Sequence, residues 1–240
     1  MDPVLLVVAG LAVLLGAAVQ GSVGIGLGLL AAPVFALADP TLVPGTILLM
    51  TSVMPMLTAW RERKDVDWRG LGFALLGRVP GTAVGVYIVA TQPPSTTAVV
   101  VGVVVLGAVA LSVTAWEARP TPRALLTAGL ISGVGGTATS VGGPPVALLY
   151  QRSGGPTLRA TMGMYFLIGN ISSLLALAAA GEVATDDVTR AVFLLPFLLV
   201  GFLVSGPLRR HVDGSRLRVA VLVVSASSAV LLLVRTLAGA

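Results

Sequence analysis

Apolar residues fall in blocks at roughly 3–20, 24–38, 45–60, 70–90, 96–116, 123–137, 140–150, 160–180, 188–206 and 217–237, with short polar or Gly/Pro-rich connections between them. A bilayer-spanning helix takes about 20 apolar residues, so the longer blocks predict membrane helices and the shorter ones predict arms of something interrupted. Two interruptions carry no charge. One is Gly21-Ser22-Val23-Gly24. The other runs from Gly133-Val134-Gly135-Gly136 through Thr137, Thr139 and Ser140 to Gly142-Gly143-Pro144-Pro145. Glycine loosens a helix and proline removes a donor and clashes with the preceding turn, so both stretches predict a broken helix inside an apolar setting. Backbone freed in this way survives at membrane depth only where protein covers it or where it lines a polar cavity.

The two interruptions are related. A shift of 112 places Gly21-Ser22-Val23-Gly24 on Gly133-Val134-Gly135-Gly136, Pro33 on Pro145, Pro44 on Pro156 and Met50 on Met162. With four more residues of offset, Pro80, Val84 and Gly85 fall on Pro196, Val200 and Gly201. Order and spacing predict an internal duplication. Paired Gly/Pro-interrupted segments in two halves are the best sequence pointer to a secondary transporter's binding site.

Composition narrows the class. Of the 240 residues 56% are hydrophobic and 10% charged, against about 25% charged in soluble domains. This is the composition of an integral membrane protein. The block 3–20 follows Asp2 rather than a basic start, so it reads as a membrane arm and not a cleaved leader. The net charge of +5 needs no nucleic acid, because twelve of the fifteen Lys and Arg residues sit in four connections: 61–69, 119–123, 152–159 and 209–218. The positive-inside rule puts those connections in the cytoplasm. Asp2, Asp39, Glu182, Asp186 and Asp187 lie in the others, which face outside. Trp60, Trp68 and Trp116 lie near block ends and read as interfacial anchors. There is no cysteine.

Loop charge then dictates architecture. Both ends of 123–150 are inside, so that stretch is a hairpin turning at its Gly/Pro break. By the same count 3–38 starts and ends outside, either as a hairpin or as one span plus a surface segment. The expected fold is an all-α polytopic integral membrane protein of two inverted repeats, each a broken, re-entrant helical hairpin plus three transmembrane helices. The first repeat is 1–118 (hairpin 3–38, helices 45–60, 70–90 and 96–116). The second is 119–240 (hairpin 123–150, helices 160–180, 188–206 and 217–237).

The element from Gln20-Gly21-Ser22-Val23-Gly24 to Ala32-Pro33, the Gly133 to Pro145 element, and Gly77-Arg78-Val79-Pro80-Gly81 followed by Gly85 resemble the paired signatures of the sulfite exporter TauE/SafE family of permeases. The resemblance covers nearly the whole chain. It implies movement of small sulfur-containing or carboxylate anions, such as sulfite, sulfonates or thiosulfate, across the cytoplasmic membrane. Cysteine-based sulfur handling does not carry over to this cysteine-free chain.

Arg78 is the sharpest single residue. A central arginine costs about 2.5–3.5 kcal/mol on the insertion scale, so it faces a cavity or a partner. Its planar charged fork suits an oxyanion; capping of freed carbonyls at a neighbouring break is the other reading. Leu194 is its counterpart, so the repeat supplies no second arginine. The candidate substrate-binding set is Arg78, Gly21, Ser22, Gly24, Gly136, Thr137, Thr139, Ser140, Gly142, Gly143, Pro144 and Asn170. Close helix packing through small residues is the alternative for the glycines. Gln20 and Tyr150 are further polar groups near the breaks. His211 stands alone in a basic loop.

No catalytic dyad, metal cluster or cofactor motif is apparent, so the chain reads as no enzyme. The expected partners are a small anion and the lipid bilayer; a homodimer is left open. A non-transporting membrane assembly subunit and a cation carrier remain alternatives. Because the chain lacks thiols, single substitutions Asp65→Cys, Thr121→Cys, Gly155→Cys and Asp213→Cys are expected to react with membrane-impermeant reagents only from the cytoplasmic side. Reaction of Gly155→Cys from outside overturns the inverted arrangement.

Overall fold

A computed structural model describes residues 3–23, 26–113, 119–211 and 214–238. Among these are ten α-helices and no strand: α1 Pro3–Val23, α2 Leu27–Ala38, α3 Gly45–Glu62, α4 Trp68–Thr91, α5 Pro94–Val113, α6 Pro122–Thr139, α7 Gly143–Tyr150, α8 Gly155–Ala179, α9 Thr185–His211 and α10 Gly214–Leu237. Six of them are long and apolar enough to cross a membrane: α1, α4, α5, α8, α9 and α10. The chain is an all-α, multi-pass membrane protein.

Several helices begin earlier than their apolar blocks because the capping residues are polar. Asp67 accepts the Gly70 N–H at 3.0 Å and starts α4 two residues ahead of the block. Thr121 caps α6 ahead of Pro122. At the start of α9, Asp187 reaches back to the Ala184 N–H at 2.9 Å in capping-box fashion and accepts the Thr46 hydroxyl of α3 at 2.9 Å. Asp187 therefore belongs to a buried junction and is only 6% exposed.

Both interrupted segments fold back on themselves. Leu27 lies against the backbone of Gly16, and Gly26 against Val19, so α2 returns along the end of α1. Gly142 lies against Ser132 and Gly136, so α7 returns along α6. The arms are unequal, with 21 and 12 residues in the first hairpin and 18 and 8 in the second.

Long helices meet in two glycine-lined seams. Along α4 and α6, a Cβ on Gly77 would collide with the Leu126 carbonyl, on Gly81 with the Leu130 carbonyl, and on Gly85 with the Thr137 side chain. Glycines four residues apart let two backbones touch, the small-xxx-small solution to packing where lipid offers no hydrophobic drive. Along α1 and α9, Gly201 meets the Leu14 carbonyl, Gly10 the Phe197 ring and Gly21 the Ser205 side chain. Elsewhere α3 packs on α8 and α5 on α10. At one end of the bundle the Tyr150 hydroxyl donates to Asp67 at 2.8 Å, and the Asp67 N–H donates to Thr161 at 3.0 Å, so the feet of α4, α7 and α8 are tied together. Trp68 is exposed at the start of α4, as an anchor should be. Trp116 lies outside the described residues, as do the side chains of Trp60 and His211.

Replacing Gly81 by Ala is expected to push α4 from α6 and destabilise the protein by about 1–3 kcal/mol, the usual range for overpacking. Gly72→Ala, with open space around its Cβ position, should be neutral or slightly stabilising. Thermal unfolding of both variants in detergent checks this; equal midpoints would mean that the seam tolerates a methyl group.

Candidate functional site

The two breaks face each other. Gly28, in the first turn of α2, packs on the carbonyl of Ser140, the residue that ends α6. Ser140 sits in the left-handed region at φ 61° and is held there by its N–H to the Gly136 carbonyl (3.1 Å) and its hydroxyl to the Pro44 carbonyl (3.2 Å). Each break recovers part of its lost hydrogen bonding from a side chain. The Leu27 N–H donates to Gln20 Oε1 at 3.0 Å, and the Ser132 hydroxyl donates to the Gly142 carbonyl. Pro144 and Pro145 occupy the first turn of α7, where a missing N–H has no intrahelical partner to lose.

Between the breaks lies a small cavity of about 20 Å³, room for about one water. Its walls come from the first break (Gln20, Gly26, Gly28, Leu29), the second (Ser140 to Pro144), α3 (Thr51) and α8 (Phe166, Asn170). Asn170 is the link to what lies behind. Its Nδ2 donates to Thr51 Oγ1 at 3.2 Å, and its Oδ1 accepts Arg78 Nη2 at 3.4 Å.

Arg78 is 2% exposed. Its Nη2 also donates to Ser173 Oγ at 3.3 Å, and that hydroxyl pairs with Thr137 Oγ1 at 2.8 Å. The guanidinium carbon lies 5.1 Å from the centroid of the Tyr165 ring, within cation–π range. The Tyr165 hydroxyl donates to Ser132 at 2.7 Å and so connects this cluster to the second break. Nε and Nη1 have no acceptor among the described residues. Two glycines make the space: a Cβ on Gly169 would stand 2.5 Å from Cζ, and one on Gly136 3.0 Å from Nη2. A cation at the core of the bundle is thus held entirely by neutral groups, with hydrogen-bonding capacity to spare.

A family model described as Sulfite exporter TauE/SafE matches residues 8–232. The chain belongs to that family. TauE/SafE proteins are transporters rather than enzymes, and membership makes this chain a multi-pass membrane transporter of the sulfite-exporter type. No curated protein and no solved structure is similar enough to the chain to count as a match.

Within this TauE/SafE chain the sequence-predicted residues separate into layers. Ser140, Gly142, Gly143, Pro144 and Asn170 line the cavity. Arg78, Gly136 and Thr137 stand one layer behind, joined to it through Asn170 and Ser173. Thr139 turns inward, donating to the Gly135 carbonyl at 2.7 Å and accepting the Val141 N–H at 3.3 Å. Gly21 and Ser22 belong to the α1–α9 seam, where Ser22 donates to the Ala18 carbonyl at 2.7 Å. Gly24 lies outside the described residues. Tyr150 is engaged with Asp67 at the end of the bundle. Leu194, the counterpart of Arg78, is fully buried. Thr51, Ser132, Tyr165, Gly169 and Ser173 were not singled out by the sequence. Asn170 and Ser173, three apart on one helical face, are the one spacing that points to them.

Gly169→Ala is expected to cost about 1–3 kcal/mol. Most of that cost should vanish when Arg78 is also Ala, a coupling of about 0.5–3 kcal/mol in a double-mutant cycle of unfolding. An equal cost in both backgrounds would remove the guanidinium from that face of α8.

Proposed function

We propose that this protein carries a small anion, such as sulfite, a sulfonate or a related organosulfur or carboxylate anion, across the cytoplasmic membrane, with export as the physiological direction. It does so by alternating access around the cavity between the paired helix breaks. The observation that carries this reading is the cavity itself: both breaks wall it, and Asn170 joins it directly to a buried, incompletely bonded arginine. Arg78 supplies the charge, Asn170 and Thr51 supply neutral hydrogen bonds, and the backbone at Gly142 and Gly143 allows close approach. Room for about one water is too little for an oxyanion, so loading requires the hairpins to part from α3 and α8.

The packing supports two repeats, 1–118 and 119–240. Exchange the halves, and the α4–α6 seam becomes the α9–α1 seam, while α3–α8 and α5–α10 map onto themselves. Gly28 touches Ser140, its own counterpart at a shift of 112, as residues near a two-fold axis do. A carboxylate relay has no support at the cavity, since none of its lining residues is ionisable. The membrane potential is the available driving force, worth about 2.3 kcal/mol per elementary charge per 100 mV.

The test is flux from proteoliposomes with the potential set by potassium and valinomycin at equal pH. Sulfite or sulfonate movement is expected to follow the potential. Arg78→Ala, which removes the charge, and Arg78→Lys, which keeps it but loses the fork, should each lower flux at least tenfold while the protein still inserts. Near-normal flux in a folded Arg78→Ala returns the residue to a structural role. Flux that ignores potential and requires a pH or sodium gradient refutes the passive mechanism.

A further inference from the structure

We infer that the site is matched in charge to a singly negative oxyanion, a sulfonate or hydrogen sulfite, and discriminates against dianions such as sulfate. The inference rests on the reading of the cavity beside Arg78 as the anion site, and it follows from a charge count. Arg78 is 2% exposed and touches Asn170, Ser173, the Tyr165 ring, Gly136 and Gly169, none of them charged. The cavity walls add Gln20, Thr51 and Ser140, also neutral. The helices packed on α4 are α6 and α8. Besides Tyr165, whose hydroxyl is spent on Ser132, their ionisable residues are Arg123 and Arg159 in the first turns, far along each helix from Gly136 and Asn170. Among the described residues the one buried carboxylate is Asp187, fixed to Thr46 and Ala184 at the start of α9.

The helix ends do not change the count. Each break sets the C-terminus of one helix beside the N-terminus of the next, so partial charges of opposite sign lie side by side and offset. The fixed charge is therefore a single positive one. A buried net charge is disfavoured by loss of hydration. A monoanion brings the site to neutrality and offers acceptors to Nε and Nη1, which have none. A dianion carries a heavier dehydration penalty and leaves one uncompensated negative charge where there had been one positive. The second charge thus weakens binding.

Methanesulfonate and sulfate share a tetrahedral outline and differ in charge, which makes them the probe pair. Each is tested as a competitor and as a substrate of the full-length protein in proteoliposomes at zero potential and constant pH. Methanesulfonate is expected to bind roughly a hundredfold more tightly than sulfate. Asn170→Asp, which sets a carboxylate against Arg78, should abolish methanesulfonate flux, while Asn170→Ser keeps the site positive and keeps the preference. Sulfate handled as well as methanesulfonate by the wild-type protein overturns this inference and leaves the anion carrier standing. Should neither anion nor sulfite move, both readings fall together. The wild-type ratio decides the matter even if an Asn170 variant does not fold.

Discussion

A helix that stops inside an apolar medium leaves N–H and C=O groups that only the protein can satisfy. The rest of this structure follows from meeting that requirement twice. Gln20 reaches across the first break to the Leu27 N–H, and Ser132 reaches across the second to the Gly142 carbonyl. Each break also leans on the other through Gly28 and Ser140. Residues of both breaks line the small cavity between them. A site of this kind is a by-product of interrupted secondary structure, placed wherever two interruptions are brought together.

Glycine makes the second half of the arrangement. The same residue type that weakens a helix in isolation allows α4 and α6 to run in backbone contact at Gly77, Gly81 and Gly85, and it clears room for a guanidinium at Gly136 and Gly169. These two uses meet at Arg78, whose own backbone lies in the seam while its side chain crosses toward α8. Moving the charge would require re-cutting the seam, so position and packing are coupled.

Much of the helical layout could be read from the sequence because lipid demands long apolar runs and forbids bare backbone. The break at Ser140 was legible from its glycines and prolines, and the burial of Arg78 from its depth in 70–90. Thr51, Ser132, Tyr165 and Ser173 were not legible, because one hydroxyl in an apolar helix produces no periodic signal. Its meaning depends on which helices meet. The role of Asp187 is illegible for a related reason: its place before the block 188–206 says nothing of its partners, and only the capping geometry and the approach of Thr46 show it turned inward. The first break is expected at Gly21–Gly24, and with α1 running to Val23 both Gly21 and Ser22 stand in its last turn.

The sequence distance between Arg78 and its partners has a consequence for how the protein is made. Asn170 follows Arg78 by 92 residues and Ser173 by 95. At about 5–20 residues per second, roughly 5–20 s of translation separate the emergence of the cation from that of the groups that hold it. Through most of that interval α4 has its arginine without a complete α6, and throughout it lacks the part of α8 that holds the guanidinium. The ribosome-bound chain must keep this helix at the protein-lined exit of the insertion machinery, or let it sit shallow with the guanidinium reaching for headgroups, until the second half arrives. Insertion of the chain is then paced by a single charge.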